Sequence, residues 1–315
     1  MTIGQPADYP YDKATHEVYA VGHREFVGPF AEARETRDYS YHRNYCIARQ
    51  RVQDEIISRA LTTTSARLTD PSHSIQVPKN TLRPCTDRRP FILFTAGAMG
   101  AGKSYVLRYT SQMKVFDVSR YVQVDPDEIK FALPEMSEYV RRDSKLAGSL
   151  THRESGYVAE LLQETALAQR KNIIVDGSLR DSGWYSQVFA GLRKEFPHYQ
   201  ICIIYVTCSR PTMHERALVR GRQTGRVVPQ DKLDEAYDQV EASVQALTPY
   251  TNFTVQLENE REPTVTRFVR VGGHGEDGIG QTEEERTDLS WPEYKQLWRR
   301  KTNEGAHWRM TLDHP

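Results

Sequence analysis

The sequence lacks three features that would each point to a particular class of protein. Its 315 residues include only four cysteines, none at the C-x-x-C spacing of a zinc or redox site. No apolar run approaches the roughly 20 residues that a membrane-spanning helix needs, and the first residues do not resemble a secretory signal. The 42 Lys and Arg residues equal the 42 Asp and Glu residues, so no overall positive field exists to hold nucleic acid. These absences predict a cytoplasmic protein without membrane or nucleic-acid partners.

A glycine-rich segment is the most informative feature that is present. The segment 97–104 fits the pattern G-x-x-x-x-G-K-[ST], after an apolar stretch of strand character and before a helix start, which is the context of a phosphate-binding loop. Its residues are Gly97, Ala98, Met99, Gly100, Ala101, Gly102, Lys103 and Ser104. Backbone N–H groups of such a loop surround phosphate oxygens, the lysine reaches the β- and γ-phosphates, and the hydroxyl binds Mg²⁺. The segment therefore predicts binding of ATP or GTP with Mg²⁺.

Apolar strands alternate with amphipathic helices around this loop. The predicted strands are 90–96, 121–125, 172–176, 200–207 and 252–258, and the predicted helices are 103–114, 152–170, 183–195, 211–221 and 230–246. Continuous apolar strands separated by helices are typical of a parallel sheet that is covered on both faces. We predict a three-layer α/β/α P-loop NTPase fold with a mainly parallel sheet and ligands at the carboxyl ends of its strands.

Extensions flank this predicted domain, which we place at residues 86–262. Residues 1–85 form an N-terminal extension, with a helix at about 39–61 followed by a linker. Residues 263–315 form a C-terminal extension with a strand at 264–271, a flexible acidic loop, and a helix opened by a capping box at Ser290. The pattern G-x-G-x-x-G at 273–278 leads into an acidic run, so we interpret it as a loop and not as a nucleotide site.

Acidic residues follow two of the predicted strands, where parallel strands place their ligands. Asp127, after the second strand, is our candidate for the base that orients or deprotonates an attacking hydroxyl, with Asp125 as the alternative or as a helix cap. Asp176, after the third strand, is a candidate for binding Mg²⁺ or orienting a reacting group. Ser178 and Arg180 follow it and are candidates for holding substrate.

Arginines are dense in the segment 216–226, where a helix runs into a glycine-containing loop. Arginine suits a lid over phosphates because its planar fork binds phosphate oxygens and stays charged. The alternative is a solvated basic helix end. Glu160, on the helix before the third strand, could hydrogen-bond hydroxyls of an acceptor, although glutamates of this kind are more often solvated.

The ordered set of motifs over about residues 88–260 resembles the zeta-toxin family of P-loop kinases. The motifs are GAMGAGKS, VDPDEIKFALP, THRESGYVAELL, NIIVDGSLR and RALVRGRQTGRVVP. The family phosphorylates a hydroxyl of a nucleotide-type small molecule, typically UDP-N-acetylglucosamine, with ATP or GTP and Mg²⁺. Related enzymes act on other nucleotides, including NAD. Met99 departs from the usual proline, and Asp176 replaces a longer glutamate.

The resemblance implies a role for each matching residue. Lys103 and Ser104 match the phosphate and magnesium residues, and Asp127 matches the catalytic base. Four further residues match substrate contacts: Glu160, Asp176, Ser178 and Arg180. Arg220 and Arg226 match two phosphate-clamping arginines, with Arg216 or Arg222 as alternative partners because the interval is short.

Two other functions and one regulatory hypothesis stay open from the sequence. A polynucleotide end kinase would need a basic groove with stacking aromatics. A non-catalytic nucleotide-binding module would need neither Asp127 nor the arginines. In toxin systems a helical antitoxin blocks the nucleotide site, so a separate antitoxin-like partner, or the N-terminal helix acting in cis, is a candidate regulator.

Overall fold

The computed structural model describes residues 8–62, 89–224 and 228–303, which divide into two compact units. Of these residues, the first unit comprises 8–62, 122–169 and 224, and the second unit comprises the others. The predicted linker and Arg226 lie outside the described residues. None of the helices described there is both long and apolar enough to cross a bilayer.

The first unit is mainly helical. Its short N-terminal elements are α1 (Thr15–Val18), β1 (Ala20–Val21), α2 (Ala31–Glu35) and β2 (Asn44–Tyr45), followed by α3 (Ile47–Thr62). The later part contains β4 (Tyr121–Val124), which begins in the second unit, and then α5 (Pro126–Ala132), α6 (Met136–Arg142) and α7 (Ser144–Ala168). The predicted helix start at residue 39 is wrong, because Asn44 and Tyr45 pair with β1 and the helix begins at Ile47.

The second unit contains the sheet that carries the glycine-rich loop. Its strands are β3 (Phe91–Ala96), β5 (Asn172–Val175), β6 (Gln200–Thr207), β7 (Phe253–Glu258), β8 (Thr264–Gly272) and β9 (Gln281–Leu289). Their order is β5-β3-β6-β7-β8-β9. The first four strands are parallel to one another, whereas β8 pairs antiparallel with β7 and β9 pairs antiparallel with β8. The helices are α4 (Lys103–Gln112), α8 (Ser182–Glu195), α9 (Arg210–Thr224), α10 (Gln230–Leu247) and α11 (Trp291–Asn303).

The sheet is covered on both faces, which confirms the predicted three-layer fold. All six residues of β3 are buried, as expected for a central parallel strand. Phe94 packs against Phe189 of α8, with ring centroids 4.6 Å apart. Phe91 points to the opposite face and stacks on Trp298 of α11 at 5.2 Å. Two residues three positions apart in one strand therefore pack into the two opposite layers of the core.

The C-terminal strands extend the sheet further than the sequence predicted. The prediction of a flexible acidic loop after residue 271 was wrong in part, because residues 281–289 form β9 beside β8. Arg267 donates to Glu285 across these strands at 2.7 Å. An acidic strand is stable here because it lies at the sheet edge, where its side chains stay in water and opposite charges pair. The capping box is confirmed: the Ser290 N–H donates to Glu293 Oε2 at 2.9 Å, before α11.

Candidate active site

The glycine-rich loop connects β3 to α4, and three of its glycines are required by space as well as by backbone conformation. Gly97, Gly100 and Gly102 have positive φ angles of 148°, 92° and 86°. A Cβ atom at Gly100 would lie 2.4 Å from the carbonyl oxygen of Met213, and one at Gly102 would lie 2.3 Å from Nδ2 of Asn259. No L side chain fits these positions without movement of the surroundings. The chain therefore forms a tight loop at the start of α4, where anions bind.

The lysine and serine of the motif lie at the first turn of α4. Lys103 Nζ donates to the carbonyl oxygen of Gly97 at 3.0 Å, so the side chain crosses its own loop. Ser104 is exposed beside it. Gly102 is the residue that caps the helix, with a left-handed backbone. This arrangement fits the phosphates of a nucleotide, because the cation, the hydroxyl and the helix N-terminus lie together.

Residues 176–178, which follow β5, are hydrogen-bonded directly to the end of β3 and the start of the glycine-rich loop. Thr95 lies in the neighbouring strand, and its Oγ1 donates to Asp176 Oδ1 at 2.5 Å. The N–H of Gly177 donates back to Thr95 Oγ1 at 3.1 Å. The N–H of Gly97 donates to the carbonyl oxygen of Ser178 at 3.2 Å. The structure thus brings the predicted strand-end acid and Ser178 together with the phosphate-binding loop.

Leu179 has an unusual backbone conformation within this segment. It has a φ of 57° and is buried, which is uncommon for a non-glycine residue and marks a constrained turn. The turn separates Ser178 from Arg180, which is exposed. Tyr185 lies close by, because a Cβ atom at Gly177 would be 3.4 Å from its hydroxyl oxygen. Burial, followed by the negative charges of Asp181 and Asp176, raises the pKa of Tyr185 to about 12.

The arginine cluster divides into residues with different surroundings. Arg216 is committed to the protein's own backbone: Nη1 donates to the carbonyl oxygen of Asn259 at 2.7 Å and Nη2 to that of Glu260 at 2.8 Å. Arg220 and Arg222 are exposed further along α9. The spacing of the cluster gave no means of separating Arg216 from the others, because its partners lie 43 and 44 residues away.

Asn259 is a support of the glycine-rich loop that was not predicted from the sequence. It follows β7, is 2% exposed, and its Nδ2 donates to the carbonyl oxygen of Ala101 at 2.8 Å. Asn259 therefore holds the backbone of the glycine-rich loop at Ala101. The residue belongs to no recognised motif, although its position at the carboxyl end of a parallel strand was a usable signal.

The first unit contains the two other predicted site residues. Asp125 caps α5, since its Oδ1 accepts from the N–H of Asp127 at 2.8 Å, and this supports the cap interpretation of Asp125. The Asp127 side chain is 49% exposed and accepts from Lys130 Nζ at 2.8 Å. Glu160 lies on α7, where Oε2 accepts from His42 Nε2 at 2.9 Å. His42 was not predicted from the sequence.

A metal ion at this site would depend on few protein ligands. Within residues 8–62, 89–224 and 228–303, no group of three or more His, Cys, Asp or Glu side chains is arranged to hold an ion. Mg²⁺ is commonly bound by one or two protein oxygens together with phosphates and water. The Ser104 hydroxyl and the Asp176 carboxylate, which Thr95 holds in place, are oxygen ligands of that kind. The residues present therefore fit a magnesium ion bound together with a nucleotide.

Comparisons with known proteins agree with the fold. A family model described as zeta toxin matches residues 78–266, more than half of the chain. The chain is similar to the crystal structure of AvrRxo1-ORF1:-ORF2 with ATP, at 14% identity and a TM-score of 0.54, covering 92% of this chain and 82% of that one. It is also similar to a structure of the PezAT chromosomal toxin–antitoxin system of Streptococcus pneumoniae, at 14% identity and a TM-score of 0.52, covering 83% and 98%. No curated protein sequence gives a significant match.

Proposed function

The chain belongs to the zeta toxin family, and on that premise we propose that it is an ATP-dependent kinase for a hydroxyl of a small nucleotide-type acceptor. The observation that carries the proposal is the glycine-rich loop, bonded through the Gly97 N–H to Ser178. A phosphate-binding loop joined to a segment of acidic, hydroxyl and arginine side chains has the parts that phosphoryl transfer needs. GTP is the alternative donor.

The donor side of the reaction is assigned to residues 97–104. Their backbone N–H groups bind the phosphates, and Lys103 offsets the charge of the β- and γ-phosphates. Ser104 and Asp176 would hold Mg²⁺, which when bound neutralises charge on the phosphate oxygens. Arg220 is proposed to bind the transferring phosphoryl group, with Arg226 as its partner. Arg216 is not included, because its guanidinium is held by two carbonyl groups.

The proton of the acceptor hydroxyl is assigned to Asp127. Its carboxylate accepts the proton as the hydroxyl oxygen bonds to the γ-phosphorus, and the bond to the β-phosphate oxygen breaks to release ADP. Asp125 is the weaker candidate, because its carboxylate already caps α5. The half-exposed side chain of Asp127 is oriented by Lys130, whose Nζ donates to Asp127 Oδ1 at 2.8 Å.

The acceptor side is assigned to Glu160, Asp176, Ser178 and Arg180. Carboxylate and hydroxyl oxygens can hydrogen-bond sugar hydroxyls, and an exposed arginine can bind a phosphate of the acceptor. This set favours a molecule that carries both a sugar and a phosphate. UDP-N-acetylglucosamine and NAD are the first two compounds to test.

A screen of acceptors tests this function. The wild-type chain is incubated with ATP labelled in the γ-phosphate, Mg²⁺ and a mixture of nucleotides and nucleotide sugars, and products are identified by mass spectrometry. We expect one added phosphoryl group on one class of acceptor, and none with Lys103→Ala. Stoichiometric ATP binding without transfer to any acceptor would contradict the proposal. Transfer to oligonucleotide ends instead would favour the polynucleotide kinase alternative.

A regulatory partner is the second part of the proposal. One of the two similar structures is described as AvrRxo1-ORF1:-ORF2 with ATP, and the other as the PezAT chromosomal toxin–antitoxin system. We expect an antitoxin-like helical protein, encoded separately, to inhibit the kinase reaction. Co-expression with the adjacent reading frame, followed by purification through the kinase alone, tests this expectation.

A further inference from the structure

One face of α7 is covered by a segment that precedes the family match, and Glu160 lies on that face. Arg153, Tyr157, Glu160 and Glu164 follow one another at three- and four-residue intervals, so they form a single stripe of the helix. Residues 36–45, which we call the N-terminal segment, contact this stripe along its length. Thr36 reaches Glu164 at one end, and Tyr41 lies under Arg153 at the other.

The two oxygens of the Glu160 carboxylate have different surroundings. Oε2 accepts from His42 Nε2 at 2.9 Å and lies 3.6 Å from Arg37 Nη1. For Oε1, no hydrogen bond is found among the described residues. The side chain of His42 is 3% exposed, whereas that of Glu160 is 42% exposed. One oxygen is therefore fixed by the N-terminal segment, and the other is open to a ligand.

We propose that His42 is a positioning residue for the acceptor site, which orients Glu160 so that Oε1 receives a hydroxyl of the acceptor. The proposal rests on the function proposed above and extends it to a part of the chain outside residues 78–266. A blocking role for the segment fits less well, because a blocking group would also occupy Oε1, whereas the described contacts are all made to Oε2. His42 acts through Glu160 and does not itself contact the acceptor.

The N-terminal segment is held firmly enough to position a side chain. The hydroxyl groups of Tyr39 and Tyr157 are hydrogen-bonded at 2.9 Å, and Tyr39 also donates to the carbonyl oxygen of Arg34 at 3.0 Å. Arg34 is fully buried and pairs with Asp54 of α3 at 2.7 Å. The Tyr39–Tyr157 bond holds the segment on α7, and the buried Arg34–Asp54 pair anchors the chain just before it. A group that orients a ligand-binding side chain must itself be held in place in this way.

The test compares His42→Ala and His42→Gln with the exposed control His23→Ala. Glutamine can place an amide N–H near the position of Nε2, so it preserves the donor, and His23 is 71% exposed. Steady-state kinetics are measured with the acceptor that reacts fastest among UDP-N-acetylglucosamine, UDP and NAD. We expect His42→Ala to raise the KM for that acceptor by about tenfold, as loss of a supporting hydrogen bond does at other sites. The KM for ATP stays within about twofold of that of wild type. In His42→Gln the KM for the acceptor returns most of the way to the wild-type value.

A double-mutant cycle with Glu160→Gln separates positioning from a general structural role. If His42 acts through Glu160, His42→Ala has little further effect on the KM for the acceptor in the Glu160→Gln background. The inference would be overturned by an equal rise in the KM for ATP and the KM for the acceptor, or by additive effects in the cycle. An active His42→Ala variant with an unchanged KM for the acceptor would also overturn it. Absence of any transfer by the wild-type chain would instead overturn the proposed function, and the inference with it.

Discussion

Arg216 and Asn259 form a two-step support for the phosphate-binding loop. Arg216 donates to the carbonyl oxygen of Asn259 at 2.7 Å, and the Asn259 side chain donates to the carbonyl oxygen of Ala101 at 2.8 Å. The guanidinium thus acts on the loop through the end of β7. An arginine that looks like a phosphate ligand in the sequence has a structural partner instead.

This relationship predicts opposite behaviour for two arginines of α9. Arg216→Gln leaves two carbonyl groups without their donor, so we expect it to lower the free energy of unfolding by about 1–3 kcal/mol and to raise the KM for ATP. Arg220→Gln is expected to lower kcat by about a hundredfold, because the arginine would stabilise charge in the transition state. Urea denaturation and steady-state kinetics on both variants check this.

The glycine-rich loop predicts a strong position dependence for alanine substitution. Gly100→Ala forces a Cβ atom to within 2.4 Å of the Met213 carbonyl oxygen, at a positive φ. We expect this variant to lose ATP binding by calorimetry. Gly148→Ala is the matched control, since it lies in α7 with nothing within 4 Å of the added atom, and should leave ATP binding unchanged. It should also raise stability by about 0.5–1 kcal/mol, because alanine favours helix. Similar losses from both variants would contradict the steric argument.

The first unit contains a buried ionic cluster that ties its N-terminal helix to its later helices. Arg49 of α3 donates to both Glu135 and Glu154, at distances between 2.6 and 2.9 Å. All three side chains are at most 2% exposed. Helix α3 is therefore part of the folded core of this unit.

Arg49→Met tests the cluster. It leaves two buried carboxylates without their cation, so we expect a loss of about 3–5 kcal/mol in the free energy of unfolding by urea denaturation. Adding Glu135→Gln and Glu154→Gln should recover part of the loss, because the uncompensated charges are then absent. Arg141→Met, at an exposed ion pair, should leave the free energy of unfolding near that of wild type. A stable Arg49→Met variant would show that the cluster contributes little.

Tyr185 predicts a loss of stability at alkaline pH. Its pKa is raised to about 12 in the folded chain, from the usual tyrosine value of about 10. Below about pH 10 the Tyr185 hydroxyl is protonated in both the folded and the unfolded chain, so the free energy of unfolding does not change with pH through this group. Between pH 10 and about pH 12 only the unfolded chain loses the proton, so this group lowers the free energy of unfolding by about 1.4 kcal/mol per pH unit. Tyr185→Phe should decline less steeply than wild type in denaturation between pH 9 and pH 11. Parallel declines would contradict the assignment.

The central layers could be predicted from the sequence, because their signals are local. β3, the glycine-rich loop and the strand at β6 each combine a continuous apolar run with clear flanking turns. β9 was missed because an edge strand that faces water carries no apolar alternation. The start of α3 was placed too early because Tyr45 and its neighbours have helical spacing, whereas Tyr45 packs on Tyr157 of α7 instead.

The site could be predicted only where a motif is contiguous. Residues 97–104 and 176–180 are recognisable because each forms a short run with a fixed chemical pattern. The supports of these residues are distant in sequence: Asn259 lies 158 residues from Ala101, and His42 lies 118 residues from Glu160. No spacing rule links such pairs, so the supports became visible only in the fold.

The assignment of Asp127 as the general base is tested most directly by the rate of γ-phosphoryl transfer by Asp127→Asn, measured beside the affinity of this variant for ATP. We expect kcat to fall by about 10²- to 10⁴-fold, the usual contribution of a general base, while the Kd for ATP stays near that of wild type. An Asp127→Asn enzyme that transfers phosphate to the acceptor as fast as wild type would contradict it.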